Sequence, residues 1–347
     1  MVPVLVGILA VTFALTRLIP GDACVALLGE RYTPERCVEF RARYGLNDNL
    51  PVQFGRYMAA VLQGDFGDSV RTGRPVTEIL AQRLPMTIEL STGAMLFATS
   101  LGILFGIISA VRHNSGVDVA TMVGANIGVS MPVFWLGLML AYLFALVLKG
   151  TPLFIPPSGR LSPGLSLMPL DQTWNIGDAN GFVKFMVALV SNSVILHSLI
   201  AGNFPILQDA LWHLILPSVA VGTIPLAIIA RLTRASLLEV LHQDYIRTAR
   251  AKGLGEQWVI TRHALRSALI PIVTIVGLQT GSLLSGAVLT ETVFALPGIG
   301  TQLVTAIEAR DYPVVQGFTV SVALIFAAIN IFVDLSYAYL DPRIRVQ

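Results

Sequence analysis

The chain has 347 residues, of which 54% are hydrophobic and only 13% are charged, and its mean hydropathy is +0.72. Soluble domains carry about 25% charged residues, so this composition excludes an ordinary soluble protein and indicates that lipid surrounds much of the chain. The formal net charge of +2 is too small to indicate nucleic-acid binding.

Long windows without charged residues predict helices that cross a bilayer, whose hydrocarbon core is about 30 Å thick. The first apolar stretch, residues 1–19, predicts helix 1; a secretory signal peptide is the weaker alternative, because no charged leader and no cleavage motif precede Pro20. The other predicted helices cover residues 90–111, 119–148, 210–236, 267–290 and 313–338. The sequence therefore predicts an all-α membrane protein with six transmembrane helices.

The segment between the first two predicted helices, residues 20–89, is nearly neutral, which favours a small extracytoplasmic excursion. It contains both cysteines, Cys24 and Cys37. On that side of the membrane the redox environment permits a disulfide between them; two unpaired small apolar side chains are the alternative. With no histidine nearby, two thiols do not indicate a metal site.

The basic residues predict which loops lie in the cytoplasm. Between Arg231 and Arg266, seven Arg and Lys residues face three acidic ones, so the positive-inside rule places the loop of residues 237–266 inside. The turn with Arg112 is placed on the same side, and two cytoplasmic loops must be separated by an even number of crossings. Residues 185–208 are therefore predicted not to cross, but to lie in the interface or within an extended outer loop, 149–209, between helices 3 and 4.

No motif in the sequence predicts catalysis. The chain has no phosphate-binding loop of the form G-x-x-x-x-G-K-[ST], no zinc-protease motif and no nucleophile elbow. The sequence thus predicts neither an enzyme nor a cofactor on this chain, so the energy for transport would come from another chain or from an ion gradient. A self-sufficient ion-coupled carrier is disfavoured because the charge-free windows within the predicted spans hold no Asp, Glu, Lys or Arg, and a scaffold without a path is disfavoured by the basic loop.

The basic loop predicts a short helix over Tyr245–Lys252, stopped by Gly253 and Gly255, with a second helix beginning near Gln257. Such a helix at the mouth of a bundle is suited to docking into a groove of a partner. A solvated helix attracted to anionic lipid is the alternative.

This loop, DYIRTARAKGL followed by HALRSALIPIV, resembles that of the permease subunits of ABC importers, in the dipeptide and oligopeptide branch. The resemblance continues along the chain and is greatest to the dipeptide permeases of the first permease position. The other similar stretches are RLIPGD, GDFGDS, HLILPS, RLTRASLLEVL, LTETVFALPGIG, RDYPVVQG and DPRIR. Arg247 and Thr248 depart from the importer-wide pattern E-A-A-x-x-x-G, whereas Ala249 and Gly253 match it.

The resemblance implies an architecture and a set of partners. It implies a second, similar permease subunit, two ATPase subunits that bind ATP and Mg, and an extracytoplasmic solute-binding protein. The multi-pass chain would lie in the cytoplasmic (inner) membrane of a bacterium or archaeon. The cargo would be dipeptides or short peptides, with nickel, glutathione or haem as alternatives within the branch. The coupling helix that contacts the ATPases would consist of Asp244, Tyr245, Arg247, Thr248, Ala249, Arg250, Ala251, Lys252 and Gly253.

Overall fold

The computed structural model describes residues 2–18, 33–43, 47–170 and 181–340. Helices account for most of this part of the chain, and no β-strand occurs within it. In chain order the helices are α1 (Val2–Leu18), α2 (Pro34–Arg43), α3 (Leu50–Leu62), α4 (Val76–Val111), α5 (Gly116–Ile127), α6 (Val133–Tyr142), α7 (Gly181–Asn192), α8 (Val194–Ile200), α9 (Phe204–Leu241), α10 (Asp244–Ala251), α11 (Glu256–Trp258), α12 (Leu265–Gly286), α13 (Val288–Val293), α14 (Ile299–Glu308) and α15 (Tyr312–Leu340).

In the part of the chain that the structure describes, four helices are long and apolar enough to cross a membrane. They are α4, α9, the continuous helix Glu256–Leu284 that joins α11 to α12, and α15. Two further pairs of shorter helices are each bent at a short break, and the number of spans would rise to six if each pair forms one span. Helix α1 has 17 residues, about 25 Å at 1.5 Å per residue, which is the short end of the range for a transmembrane helix.

Helix α4 begins at Val76 rather than at the predicted Leu90. The charge-free window begins only after Glu89, whereas the helix itself also includes Glu78, Arg83 and Glu89. Glu89 is buried, and Arg160 provides it with an opposite charge at 2.8 Å. Charge at this end of the helix is therefore neutralised or solvated without interrupting the helix.

The predicted span over residues 119–148 is broken into two helical pieces bent by 98°. The break falls at Met131 and Pro132, where Met131 has extended backbone angles, φ −114° and ψ 140°. A residue before proline is disfavoured in the helical region, because the proline ring contacts its backbone. Pro132 thus ends one helix and serves as the N-cap of the next, α6.

Residues 185–208 include most of α7, all of α8 and the first residues of α9. Helices α7 and α8 meet at Ser193 with a bend of 94°. Neither helix alone is long enough to cross a bilayer, while together they have the length and apolarity of one broken span. The assignment of this segment to the interface or the outer loop stays a prediction.

The chain divides into two compact units. Unit 1 comprises residues 1–86, 167–197 and 297–327. Its core joins the first turns of α4 to α14 and α15, with Val76, Val314 and Phe318 fully buried. Gly317 of α15 faces Val76 so closely that a Cβ atom there would lie 2.6 Å from Val76 Cγ1, so this contact requires glycine.

Unit 2 comprises residues 87–166, 198–296 and 328–347. Its centre is the packing of α4 on α9, in which Ala98, Ile229 and Ala230 are fully buried. Small residues on α4 bring the two helices close together: a Cβ atom on Gly106 would lie 2.8 Å from the carbonyl oxygen of Ala230. Close approach of this kind is the usual way in which membrane helices gain van der Waals contact.

Candidate functional site

The predicted coupling helix is helical in the structure, where α10 covers Asp244–Ala251. One face of this amphipathic helix is buried, since Ile246 is fully buried and Ala249 is 7% exposed. Both pack into a cluster that includes Leu237 of α9 and Val259 at the start of the following helix. The apolar face therefore fixes α10 to unit 2 and leaves the polar face outward.

The end of α10 depends on glycine. Gly253 has φ +79°, a left-handed conformation that side chains other than glycine rarely adopt. The Gly253 amide donates to the carbonyl of Arg250 at 2.9 Å, and the Leu254 amide donates to the carbonyl of Ala249 at 3.4 Å. This pair of hydrogen bonds is a Schellman motif, which explains why the helix stops here.

Two side-chain contacts connect α10 to the helix that follows it. Arg250 forms a bidentate pair with Glu256, with Nη2 to Oε1 at 2.6 Å and Nε to Oε2 at 3.1 Å, and this pairing raises the pKa of Arg250 above its ordinary value. The hydroxyl of Tyr245 donates to Ser267 Oγ at 2.8 Å. The guanidinium of Arg250 is therefore bound within the loop.

The exposed face of α10 consists of Tyr245, Arg247, Thr248 and the neighbouring Lys252. Arg247 contacts Asp244 at 3.4 Å, but their side chains are 73% and 96% exposed, so solvent screens this pair and it contributes little to stability. A partner could therefore contact Arg247 and Lys252 at little cost in lost intramolecular bonds.

A cavity of about 330 Å³ lies beside α10. The turn after α4 and the last turn of α9 contribute His113 and His242, and α10 contributes Arg247 and Arg250. Glu256, the partner of Arg250, and apolar side chains such as Leu241 form the rest of the wall. This concavity has a basic rim, the kind of surface that an acidic or aromatic side chain of a partner would enter.

A second polar cluster joins α4, α5 and α9 within unit 2. Asp118 accepts hydrogen bonds from Arg234 Nε and Nη2, both at 2.9 Å, and from Ser109 Oγ. The backbone amide of Asn114 donates to the same carboxylate at 3.0 Å. Asp118 and Arg234 also line an open cavity of about 860 Å³. The ion pair fixes the turn between α4 and α5 against the helix that leads into α10.

Segment 149–166 is attached to three helices of unit 2. Arg160 Nη2 pairs with Glu89 of α4 at 2.8 Å, and Ser162 donates from both its amide and its hydroxyl to Asp209 of α9 at 2.7 Å. The Gly159 amide donates to the carbonyl of Phe294, just after α13, at 2.9 Å. This segment, interpreted from the sequence as loop, thus has a fixed path over unit 2.

Buried carboxylates are the feature that the sequence interpretation missed. Glu291 in α13 is fully buried and accepts a hydrogen bond from Thr87 Oγ1 at 2.6 Å. In unit 1, Asp311 is 3% exposed and accepts from Ser69 Oγ at 2.5 Å and from the Val70 amide at 3.2 Å. Glu291 and Asp311 lie in the LTETVFALPGIG and RDYPVVQG stretches, where an acid in an apolar run could have signalled them.

Of the two cysteines in the predicted disulfide, the structure describes Cys37. Cys37 in α2 is buried, whereas Cys24 lies outside the described residues, so the disulfide stays a prediction. The DPRIR stretch also lies outside them. Within the described ranges no cluster of His, Cys, Asp or Glu has the arrangement of a metal site.

The chain is similar over its whole length to transport proteins of bacterial membranes. The family described as "Binding-protein-dependent transport system inner membrane component" matches residues 102–346, and its N-terminal counterpart matches residues 1–91. The dipeptide transport system permease protein DppB of Alkalihalophilus pseudofirmus is 45% identical over 345 residues, which covers 99% of this chain and 96% of that protein. DppB of Escherichia coli is 44% identical with the same coverage. The di/tripeptide transport system permease protein DppB of Pseudomonas aeruginosa is 44% identical over 348 residues, covering 100% and 96%.

Proposed function

The chain belongs to the family of binding-protein-dependent transport system inner membrane components, and from that premise we propose that it is the permease subunit of an ATP-driven importer for dipeptides and short peptides. ATP hydrolysis then takes place on two partner ATPase subunits, and a second permease and an extracytoplasmic binding protein complete the complex. The observation that carries the proposal is α10, a short helix that is anchored on one face and exposes its polar face.

The mechanism follows from the way α10 is held. ATP binding draws the two ATPases together, and they favour one of two conformations of the permease by binding it more tightly. Because Ile246 and Ala249 are buried in unit 2, a displacement of α10 cannot occur without moving the side chains packed around them. The contacts from Arg250 to Glu256 and from Tyr245 to Ser267 transmit the same displacement to the following helix.

The coupling role is tested by reversing one exposed charge on α10. Arg247→Glu leaves Ile246, Ala249 and the Arg250 pair intact, so the loop should fold normally. We expect the co-expressed ATPases to be lost on purification, or their hydrolysis to become independent of the binding protein. The control is Arg71→Glu, the same change at an exposed arginine of the extracytoplasmic segment. Retained ATPases with normal uptake in Arg247→Glu would refute the coupling role.

The proposed membrane layout has six crossings with both termini in the cytoplasm. It can be tested in a variant that lacks the native cysteines and carries one introduced cysteine, at Lys252 or at Gln63. A membrane-impermeant maleimide added to intact spheroplasts should label the cysteine at position 63 and not the one at position 252. Labelling at position 252 would place α10 outside and would contradict the importer assignment.

The proposed cargo is supported by the relatives named as dipeptide and di/tripeptide permeases. Uptake of a labelled dipeptide should require this chain, and should stop when the partner ATPases carry a substitution that abolishes hydrolysis. Uptake of nickel, glutathione or haem in place of the dipeptide would reject the cargo and keep the importer class. Uptake that continues without ATP hydrolysis would instead favour an ion-coupled carrier.

A further inference from the structure

We propose that the helix following α10 binds an anionic phospholipid headgroup of the cytoplasmic leaflet through Trp258, Arg262 and Arg266. We call these three side chains the basic stripe. The proposal goes beyond the importer function and rests on it in one respect, the cytoplasmic placement of the α10 loop.

The basic stripe is an exposed face of one helix. Its members are spaced four residues apart in the continuous helix Glu256–Leu284, in which Val259–Ala264 forms a π-helical turn. Four residues make close to one turn in either geometry, so the three side chains lie on the same side. Trp258 is 55% exposed, and Arg262 and Arg266 are exposed as well. The opposite face, with Val259, Ile260, Ala264 and Ala268, is buried.

Charge pairing within the loop leaves these arginines available. Arg250 pairs with Glu256, Arg247 contacts Asp244, and Arg234 pairs with Asp118. Among the described residues neither Arg262 nor Arg266 has a carboxylate partner. The contact between Arg262 and the Trp258 ring, with the guanidinium carbon 5.7 Å from the ring centroid, orients the cation without neutralising it.

The position along the helix favours lipid over a protein partner. Arg266 directly precedes the charge-free part of α12, Ser267–Gly286, which at 1.5 Å per residue is about 30 Å long and matches the hydrocarbon core. Arg266 therefore lies at the edge of the hydrocarbon, and Arg262 lies about 6 Å further out. Side chains on a helix point towards its N-terminus, so both guanidinium groups are directed to the level of the phosphates, where each basic residue strengthens binding to anionic lipid.

The test compares two double variants of the co-expressed complex. Arg262→Gln with Arg266→Gln removes the charge of the basic stripe, and Arg247→Gln with Lys252→Gln removes the same charge from the exposed face of α10. Each complex is exchanged into micelles with equal amounts of phosphatidylglycerol and phosphatidylcholine, and retained lipid is counted by native mass spectrometry. We expect selective retention of phosphatidylglycerol by the unmodified complex and by the α10 variant. In the stripe variant, affinity for phosphatidylglycerol should fall about fivefold per arginine, roughly 25-fold in all.

Two results would overturn the proposal. One is equal retention of phosphatidylglycerol by all three complexes. The other is loss of the ATPases from the stripe variant while phosphatidylglycerol retention is unchanged, because the basic stripe would then be part of the ATPase contact. The number of retained lipids is measured separately from the number of bound ATPases. If the α10 variant keeps its ATPases, the coupling role fails and the lipid result still stands.

Discussion

Gly106 of α4 offers a direct test of how closely α4 packs on α9. A Cβ atom added there would lie 2.5 Å from Thr233 Cβ and 2.8 Å from the carbonyl oxygen of Ala230. Both neighbours are backbone or directly attached to it, so neither can rotate away. Reaching the 3.4 Å at which ordinary contact begins requires the helices to separate locally by about 0.9 Å. Overpacking of this kind costs about 1–3 kcal/mol.

Gly124→Ala is the matched control. Gly124 lies inside α5, in the same unit, and a Cβ atom there has no heavy atom within 4 Å. Both substitutions gain the same helix propensity, about 1 kcal/mol. The difference between the two variants therefore isolates the packing cost at Gly106, and it corresponds to a factor of about 5 to 150 in the unfolding equilibrium.

The assay is reversible unfolding of the full chain in mixed micelles by increasing the fraction of sodium dodecyl sulfate, followed by circular dichroism. Gly106→Ala should unfold at a lower fraction of sodium dodecyl sulfate than the unmodified chain, or at the same one, and Gly124→Ala at a higher one. If Gly106→Ala is as stable as Gly124→Ala, the close contact between α4 and α9 does not exist as described.

Three further predictions concern polar groups. Asp311→Ala removes the acceptor of the Ser69 hydroxyl and of the Val70 amide. We expect the free energy of unfolding to fall by about 1–3 kcal/mol and the loop that begins at Ser69 to be cleaved faster by a protease. Unchanged cleavage would contradict this. Arg160→Met removes the cation at 2.8 Å from the buried Glu89 carboxylate and should lower the free energy of unfolding by about 3 kcal/mol, whereas the double variant with Glu89→Leu should recover most of it; an additive double variant would show that the pair has no coupling. Burial raises the pKa of Tyr57 from 10.0 to about 12, so its contribution to stability is complete below pH 10 and is lost as the pH rises towards 12. Thermal unfolding of Tyr57→Phe should lack this alkaline loss, and identical pH profiles for both proteins would refute it.

The features set by local sequence could be predicted. A charge-free window identifies a span because lipid penalises every charged residue in it. Helices α4, α9 and α15 contain predicted spans, and α12 covers residues 267–286 of the span predicted over 267–290. The α10 helix could be located because Gly253 ends it and the apolar residues at 246 and 249 share one face. These signals depend only on neighbours along the chain.

The features set by distant residues could not be predicted. Nothing near Glu89 indicates that Arg160, 71 positions away, neutralises it. The charge-free window therefore began after Glu89, whereas α4 begins at Val76. Asp118 and Arg234 are 116 positions apart, and each alone is only one charged residue near the end of a helix. The two helices on either side of Gly253 and Gly255 could be predicted, but not the pairing of Arg250 with Glu256 that joins them, because the path of the turn between the helices decides which side chains meet.

The two contacts that connect α10 to the next helix determine what can be exchanged between related permeases. A graft of the α10 residues alone would bring in Tyr245 and Arg250 and leave behind the hydroxyl and the carboxylate that they bind, at Ser267 and Glu256. The smallest transplantable segment is therefore 244–267. A chimera with this segment should keep the docking preference of its donor, whereas a shorter graft would be expected to lose the conformation on which that preference depends.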